Sequence, residues 1–288
     1  MSGGRNTRPR KAGYTIVEVL IFMAVSGMMF TMAVVLVNGK QANSEYHQGM
    51  YDLDSQIHTV INDVANGYYP STQDFTCRVL SPASPPSLMH SLSTVEAGTN
   101  TDCIFMGKVM HFGVQNSKGV DYNVYSVTGR RYAVGSIDTA PNSFTEAKPV
   151  AVDNGGDVNI TSHKKLQWGL YVTAMYEVTY AAGSISYNPN IGAVGFFGNF
   201  GNVSGGVLQS GAQTVIAAKV PSALDQSPAT IINNIQSITT AYTADKSILL
   251  CLSDGKGHTG SISIGGKNGH QLQTVVKLSG LSEVGAPC

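Results

Sequence analysis

The chain has 288 residues, of which 42% are hydrophobic and only 12% charged, with 18 basic side chains set against 18 acidic ones. That length and apolar content allow a substantial buried core, and the charge is sparse for a soluble protein. The even balance excludes the strongly basic class of polyanion binders.

The first twelve residues, MSGGRNTRPRKA, hold Arg5, Arg8, Arg10 and Lys11 and no acid. By the positive-inside rule they stay in the cytoplasm, and whatever follows the next apolar segment lies outside. From Val19 to Val37 there is no charged residue and no histidine, a run of 19 residues that reaches roughly 28 Å as a helix and matches a bilayer core. A secretory signal has a shorter apolar region, about 7–15 residues, and a small-x-small cleavage site, which LVNGKQANS does not offer. One acid, Glu18, stands at the threshold of the run. A carboxylate at the centre of such a segment costs about 2.5–3.5 kcal/mol and less near an interface, so Glu18 needs a cationic partner, a task or a route to the headgroups.

The order of basic leader, Gly13, aromatic Tyr14 and TIVEVLIFMAV, with Glu18 the fifth residue after the glycine, resembles the class III signal of type IV pilins and type II secretion pseudopilins. The resemblance implies a membrane peptidase that cuts on the cytoplasmic face between Gly13 and Tyr14, and N-methylation of the new amino terminus on Tyr14. It also implies that Glu18 of one subunit neutralises the Tyr14 amine of a neighbour during filament assembly. Within one helix the amine lies four residues from Glu18, about 6 Å in rise, so pairing inside the subunit competes. Pairing across subunits fixes axial register, a use attested for buried polar groups. That family usually has Phe where Tyr14 stands, and often a proline in the apolar helix; here Gly27 and Gly39 are the weak points and no kink is expected. Loss of the leader's four basic residues leaves 14 basic against 18 acidic side chains, 14 − 18 = −4.

Beyond the run, Tyr46, Met50, Leu53, Ile57, Val60, Ile61 and Val64 recur at steps of three and four and form one apolar face. Glu45, Asp52, Asp54, Gln56 and Asp63 occupy the other side, and Asn66-Gly67 is a stop signal. The spacing predicts one helix over about residues 14–65, its first half in lipid or filament core and its second half packed on a head domain.

From Gly67 the texture turns to Gly, Ser, Thr and Asn with β-branched and aromatic alternation. Predicted strands are CIFMGKVMHFGV, VDYNVYSV, RRYAVGSI, LQWGLYVTAMYEVTY and QTVIAAKV. In SPATIINNIQSITTAY, Pro228 follows Ser227 at a helix start, with Ile231, Ile232, Ile235 and Ile238 at helical spacing. The tail from Ser247 to Leu278 reads as three strands joined by Asp254-Gly255 and by Gly265-Gly266 or Asn268-Gly269 turns. That ending also resembles the heads of minor pilins and pseudopilins. In the glycine-rich stretch 183–211, Phe196, Phe197 and Phe200 are expected in the core, against the alternative of an exposed aromatic loop.

Cys77, Cys103, Cys251 and Cys288 in an exported domain fit an oxidising compartment and admit three pairings. The preferred one joins Cys77 to Cys103 around SPASPPS and Cys251 to Cys288, the latter resembling the C-terminal disulfide loop of many pilins. Each closure stabilises by roughly 3–4 kcal/mol in the chain-entropy model. No Cys-x-x-Cys occurs and no histidine lies at metal-ligand spacing from a cysteine, so no metal site is expected.

The seven histidines, at positions 47, 58, 90, 111, 163, 258 and 270, fall in no HExxH, GxSxG or Cys-His pattern. SDGKGHTG lacks phosphate-loop spacing and reads as a hairpin turn. Asp153, Asp157 and Asn159 in VDNGGDVN miss the EF-hand order and read as an Asx turn. The pairs Arg130-Arg131 and Lys164-Lys165 are too short to argue DNA binding and read as solvated strand edges.

The sequence thus predicts an α+β protein without catalytic residues or a cofactor: a leader (1–13), a membrane or assembly helix (14–37), its amphipathic continuation (38–66) and an extracellular β-rich head (67–288). The resemblance implies a structural subunit of a type IV pilus-like filament, and the size of the head points to a minor pilin. Partners implied are a prepilin peptidase, other pilin subunits, an inner-membrane assembly platform and lipid before assembly, with nucleic acid left open by roles in adhesion, motility or DNA uptake. A pseudopilin of a secretion or competence machine is the near alternative. A membrane-tethered adhesin or enzyme with an uncleaved anchor is the alternative of another class, and it needs neither Gly13 nor Glu18.

Overall fold

The computed structural model describes residues 13–67, 75–81, 84–90, 102–114, 117–133, 135–136, 138–152, 161–181, 184–198, 203–204, 207–208, 215–239, 246–265, 272–278 and 287–288. The chain divides into two compact units, Met1–Glu45 and Tyr46–Cys288. An α-helix, α1 (Ile16–Ala65), runs through both. It stops where Gly67 turns left-handed at φ 65°, with the Asn66 and Gly67 N–H groups capping the carbonyls of Asn62 and Val64 at 2.9 and 3.1 Å.

Within the second unit, all seven residues of the predicted apolar stripe, from Tyr46 to Val64, are buried. They join one large cluster with side chains of two antiparallel sheets. The first of these sheets contains β3 (Cys103–Phe112), β4 (Asp121–Arg130), β5 (Val150–Val152), β6 (Thr161–Lys165), β9 (Ala193–Gly198) and β12 (Val215–Val220). Its order is β12-β9-β3-β4, with β5 and β6 pairing different stretches of β4. The second contains β7 (Tyr171–Ala181), β8 (Ser184–Asn188), β13 (Lys246–Ser253), β14 (Thr259–Gly265) and β15 (Thr274–Lys277) in the order β15-β14-β13-β7-β8. Two short hairpins complete the described strands: β1 (Phe75–Arg78) with β2 (Ser87–His90), and β10 (Val203–Ser204) with β11 (Val207–Leu208).

The six-stranded sheet is apolar on both faces. One face joins the α1 cluster through Met110, Phe112, Val124 and Phe196. The other packs Val109, Tyr125, Val127 and Phe197 against α2 (Phe144–Ala147) and α3 (Pro228–Ile235). Helix α3 begins as its sequence requires, for Ser227 accepts the Thr230 N–H at 3.3 Å and Pro228 takes the first turn. Its Ile231 and Ile235 are buried, as is Ile238 just beyond it.

Ion pairs tie these layers together. The Lys108 ammonium on β3 reaches Asp63 of α1 at 2.7 Å, and Glu177 on β7 binds Lys219 of β12 and Lys246 of β13. Burial works against the Glu177 carboxylate, but hydrogen bonds and the positive charge of both lysines hold it below the usual carboxylate range. Both disulfides are present, Cys77–Cys103 with Cα atoms 6.1 Å apart and Cys251–Cys288 at 5.3 Å.

Three expectations need correcting. Beyond Arg130, the last residue of β4, the described residues of RRYAVGSI form no strand, and Arg131 to Ala133 leave the ladder. Arg130 is no solvated edge, being 5% exposed and donating to the carbonyls of Ser81, Ser84 and Tyr132. The strand expected in LQWGLYVTAMYEVTY starts only at Tyr171, because Trp168 and Gly169 turn left-handed at φ 61° and 74°. By contrast, Lys164 and Lys165 do lie exposed on β6, and Phe196 and Phe197 are fully buried in the core. Phe200, Asp153, Asp157, Asn159, His270 and the second turn of the tail lie outside the described residues.

Candidate functional site

The first unit contains the predicted assembly residues. Gly13, Tyr14 and Thr15 precede α1, and Tyr14 is 82% exposed. The Thr15 hydroxyl accepts the Glu18 N–H at 3.3 Å while the Thr15 carbonyl accepts from Glu18 and Val19. Thr15 is therefore the N-cap and Glu18 the third helical residue, the T-x-x-E spacing of a capping box. Sequence reasoning about charge passed over this short-range signal. It gives Glu18 a local reason for its position, since a carboxylate in the first turn faces the positive end of the helix dipole.

From Ile16 to Val37 every side chain is exposed, and α1 is long and apolar enough to span a membrane. The hydroxyls inside the run need no outside partner. Ser26 donates to the Phe22 carbonyl, and Thr31 donates to that of Met28 at 2.8 Å. Polar groups satisfied within their own helix are what a hydrocarbon environment demands. Around Gly27 and Gly39 an added Cβ would meet nothing within 4 Å. This unit can therefore bury an apolar rod in lipid or among other helices while keeping one carboxylate near its start.

The head supplies two polar clusters. On the face of the six-stranded sheet turned toward α2 and α3, Asn123 donates to the Tyr125 hydroxyl at 2.9 Å, and His163 pairs with Asn123 Oδ1 at 2.8 Å. His111 Nδ1 stands 3.4 Å from the same hydroxyl. His111 is fully buried and burial lowers its pKa to about 4, so at neutral pH it is an uncharged member of the network. The unfolded chain binds this proton near pH 6.5 and the folded chain only near 4, so stability rises with pH between those values. Acidification from pH 6.5 to 4 is expected to remove about 3 kcal/mol, and His111→Phe to flatten that part of a urea-denaturation pH profile. The loss from Glu177, whose pKa is lowered, belongs to more acidic pH.

The second cluster closes the β13–β14 hairpin predicted from SDGKGHTG. The buried Asp254 carboxylate accepts from the Lys256 and His258 N–H groups at 2.8 and 3.1 Å and pairs with His258 Nδ1 at 2.6 Å. Burial opposes its ionisation, but these bonds prevail and keep its pKa below the ordinary value. The His258 ring stacks on Tyr46, centroids 5.3 Å apart, which fastens the turn to α1. Among the described residues no group of three or more His, Cys, Asp or Glu side chains is placed to hold a metal ion. No family model, no curated protein and no solved structure matches the chain.

Proposed function

We propose that the chain is a structural subunit of a type IV pilus-like filament, held in the cytoplasmic membrane with its head outside before assembly. The peptidase cleaves between Gly13 and Tyr14, the Tyr14 amine is methylated, and the segment from Tyr14 to Val37 then leaves lipid for the core of a cell-surface filament. One observation carries the reading: an exposed, apolar helical segment follows a Gly-Tyr junction and carries a single acid, at the fifth residue beyond the glycine. A simple tether requires the hydrophobicity but neither the junction nor the acid. The large head favours a minor pilin.

N-terminal mass analysis of the protein recovered from cells tests the proposal. A first residue Tyr14, with or without a methyl group, is the expected result. A chain that still begins at Met1 or Ser2 while reaching its working location overturns it in favour of a permanently anchored protein.

A further inference from the structure

The pole of the head that holds Tyr46 exposes four lysines and the chain's single tryptophan. Tyr46 is the first residue of the head unit, and its ring stacks on His258 in the β13–β14 turn. Gly49 lies against the loop before β7, with its Cβ position 3.4 Å from the Gln167 carbonyl and 3.5 Å from Leu170. That loop is tied to the β3–β4 turn, since Leu166 N–H donates to Val120 O at 2.8 Å and Val172 N–H to Gly119 O at 2.9 Å. Tyr171, directly opposite Ser253 in the ladder, approaches Gly255 and so places the β13–β14 turn beside them.

These turns and strand ends expose Lys118, Lys164, Lys165 and Lys256, and Trp168 is 50% exposed among them. Of the acids nearby, Asp254 is buried under His258, Asp121 has His163 at 4.0 Å, and Asp225 lies half-buried against Gly113 at the start of the β3–β4 turn. Trp168 is held at φ 61°, a conformation that a bulky residue avoids. Eight residues, 38–45, separate the uncharged run from Tyr46, so by chain length alone this pole stays within roughly 30 Å of a bilayer that holds the run.

We infer that this pole docks on the acidic phospholipid surface of the membrane in which the unassembled subunit is held, Trp168 settling among the headgroups and the four lysines facing lipid phosphate. The inference rests on the membrane reading of residues 14–37. Tryptophan is the side chain suited to a membrane–water interface, and each lysine near an acidic surface strengthens attachment by roughly five-fold. Docking keeps the head against the bilayer until a growing filament draws the subunit out.

Trp168 is also the reporter, being the only tryptophan in the chain. The full chain is reconstituted in vesicles of phosphatidylcholine alone or of phosphatidylcholine with phosphatidylglycerol, and its emission is followed with and without brominated lipid. In the acidic vesicles the emission is expected to shift to the blue and to be quenched. Both effects should disappear on the order of 1 M salt, where the screening length falls to about 3 Å, and in a variant with Lys118, Lys164, Lys165 and Lys256 all changed to Gln. Emission that stays solvent-like and unquenched in acidic vesicles, from protein that floats with them, overturns docking and leaves the membrane reading intact. Protein that fails to float with either vesicle overturns both.

Discussion

Glu18→Ala is expected to yield a subunit that is cleaved after Gly13 and stays in the membrane fraction but is lost from sheared filaments. Under the proposed assembly, the Tyr14 amine created by cleavage is buried among neighbouring helices, and Glu18 of the adjacent subunit is its counter-charge. Removing one partner of a buried ion pair costs about 3–5 kcal/mol, which corresponds to a loss of roughly two to four orders of magnitude in incorporation. Cleavage precedes assembly and does not call on that pairing. Because Glu18 also occupies the first turn of α1 beside the Thr15 cap, a capping role has to be separated from a pairing role. Thr15→Ala removes the cap at a cost of about 1 kcal/mol and should leave incorporation close to normal, whereas Glu18→Gln retains the shape, loses the charge and should fail like alanine. Immunoblots of membrane and filament fractions read all three. Normal filament content in the Glu18→Ala strain would show that the acid is only a helix-start residue.

The parts of the fold that rest on short-range rules were legible in the sequence. The apolar stripe from Tyr46 to Val64, the stop at Asn66-Gly67 and the Ser227-Pro228 start of α3 each depend on residues within one or two turns of each other. So did the turn after Ser253, where glycine and aspartate specify the backbone locally. What escaped was non-local. Nothing in the sequence around β3 and β13 says that they belong to different sheets, because both are buried on two faces and show no alternation that would mark an inside. Arg130 looked like a surface charge because its three carbonyl acceptors come partly from Ser81 and Ser84, more than forty positions upstream. The late start of β7 depended on two left-handed residues, and tryptophan is a poor signal for that conformation. For the assembly region, the charge pattern singled out Glu18, but the hydrogen bond from its N–H to Thr15 needed the coordinates even though T-x-x-E is plainly written.

Gly107→Val should be the most damaging single change in the head. Between Phe105 and Gly107 the pairing of β3 with β4 slips by one residue, a bulge that re-aims the strand as it crosses the middle of the six-stranded sheet. At Gly107 the neighbouring strand β9 approaches so closely that an added Cβ would run into the backbone of Phe196 and Phe197, not into a side chain that could swing away. These two phenylalanines point to opposite faces, Phe196 into the α1 cluster and Phe197 into the cluster under α2 and α3. Pushing β9 aside therefore loosens both cores at once, and the expected loss is about 3 kcal/mol or more, beyond ordinary overpacking. Gly198, at the end of β9, is the matched control. Its Cβ position has only the Met106 carbonyl within reach, at 3.8 Å, so Gly198→Ala should change stability by less than about 1 kcal/mol and in the favourable direction. Urea denaturation of the two variants compares them directly. Equal midpoints would mean that the strand has room at Gly107 and that the glycine serves the bulge alone.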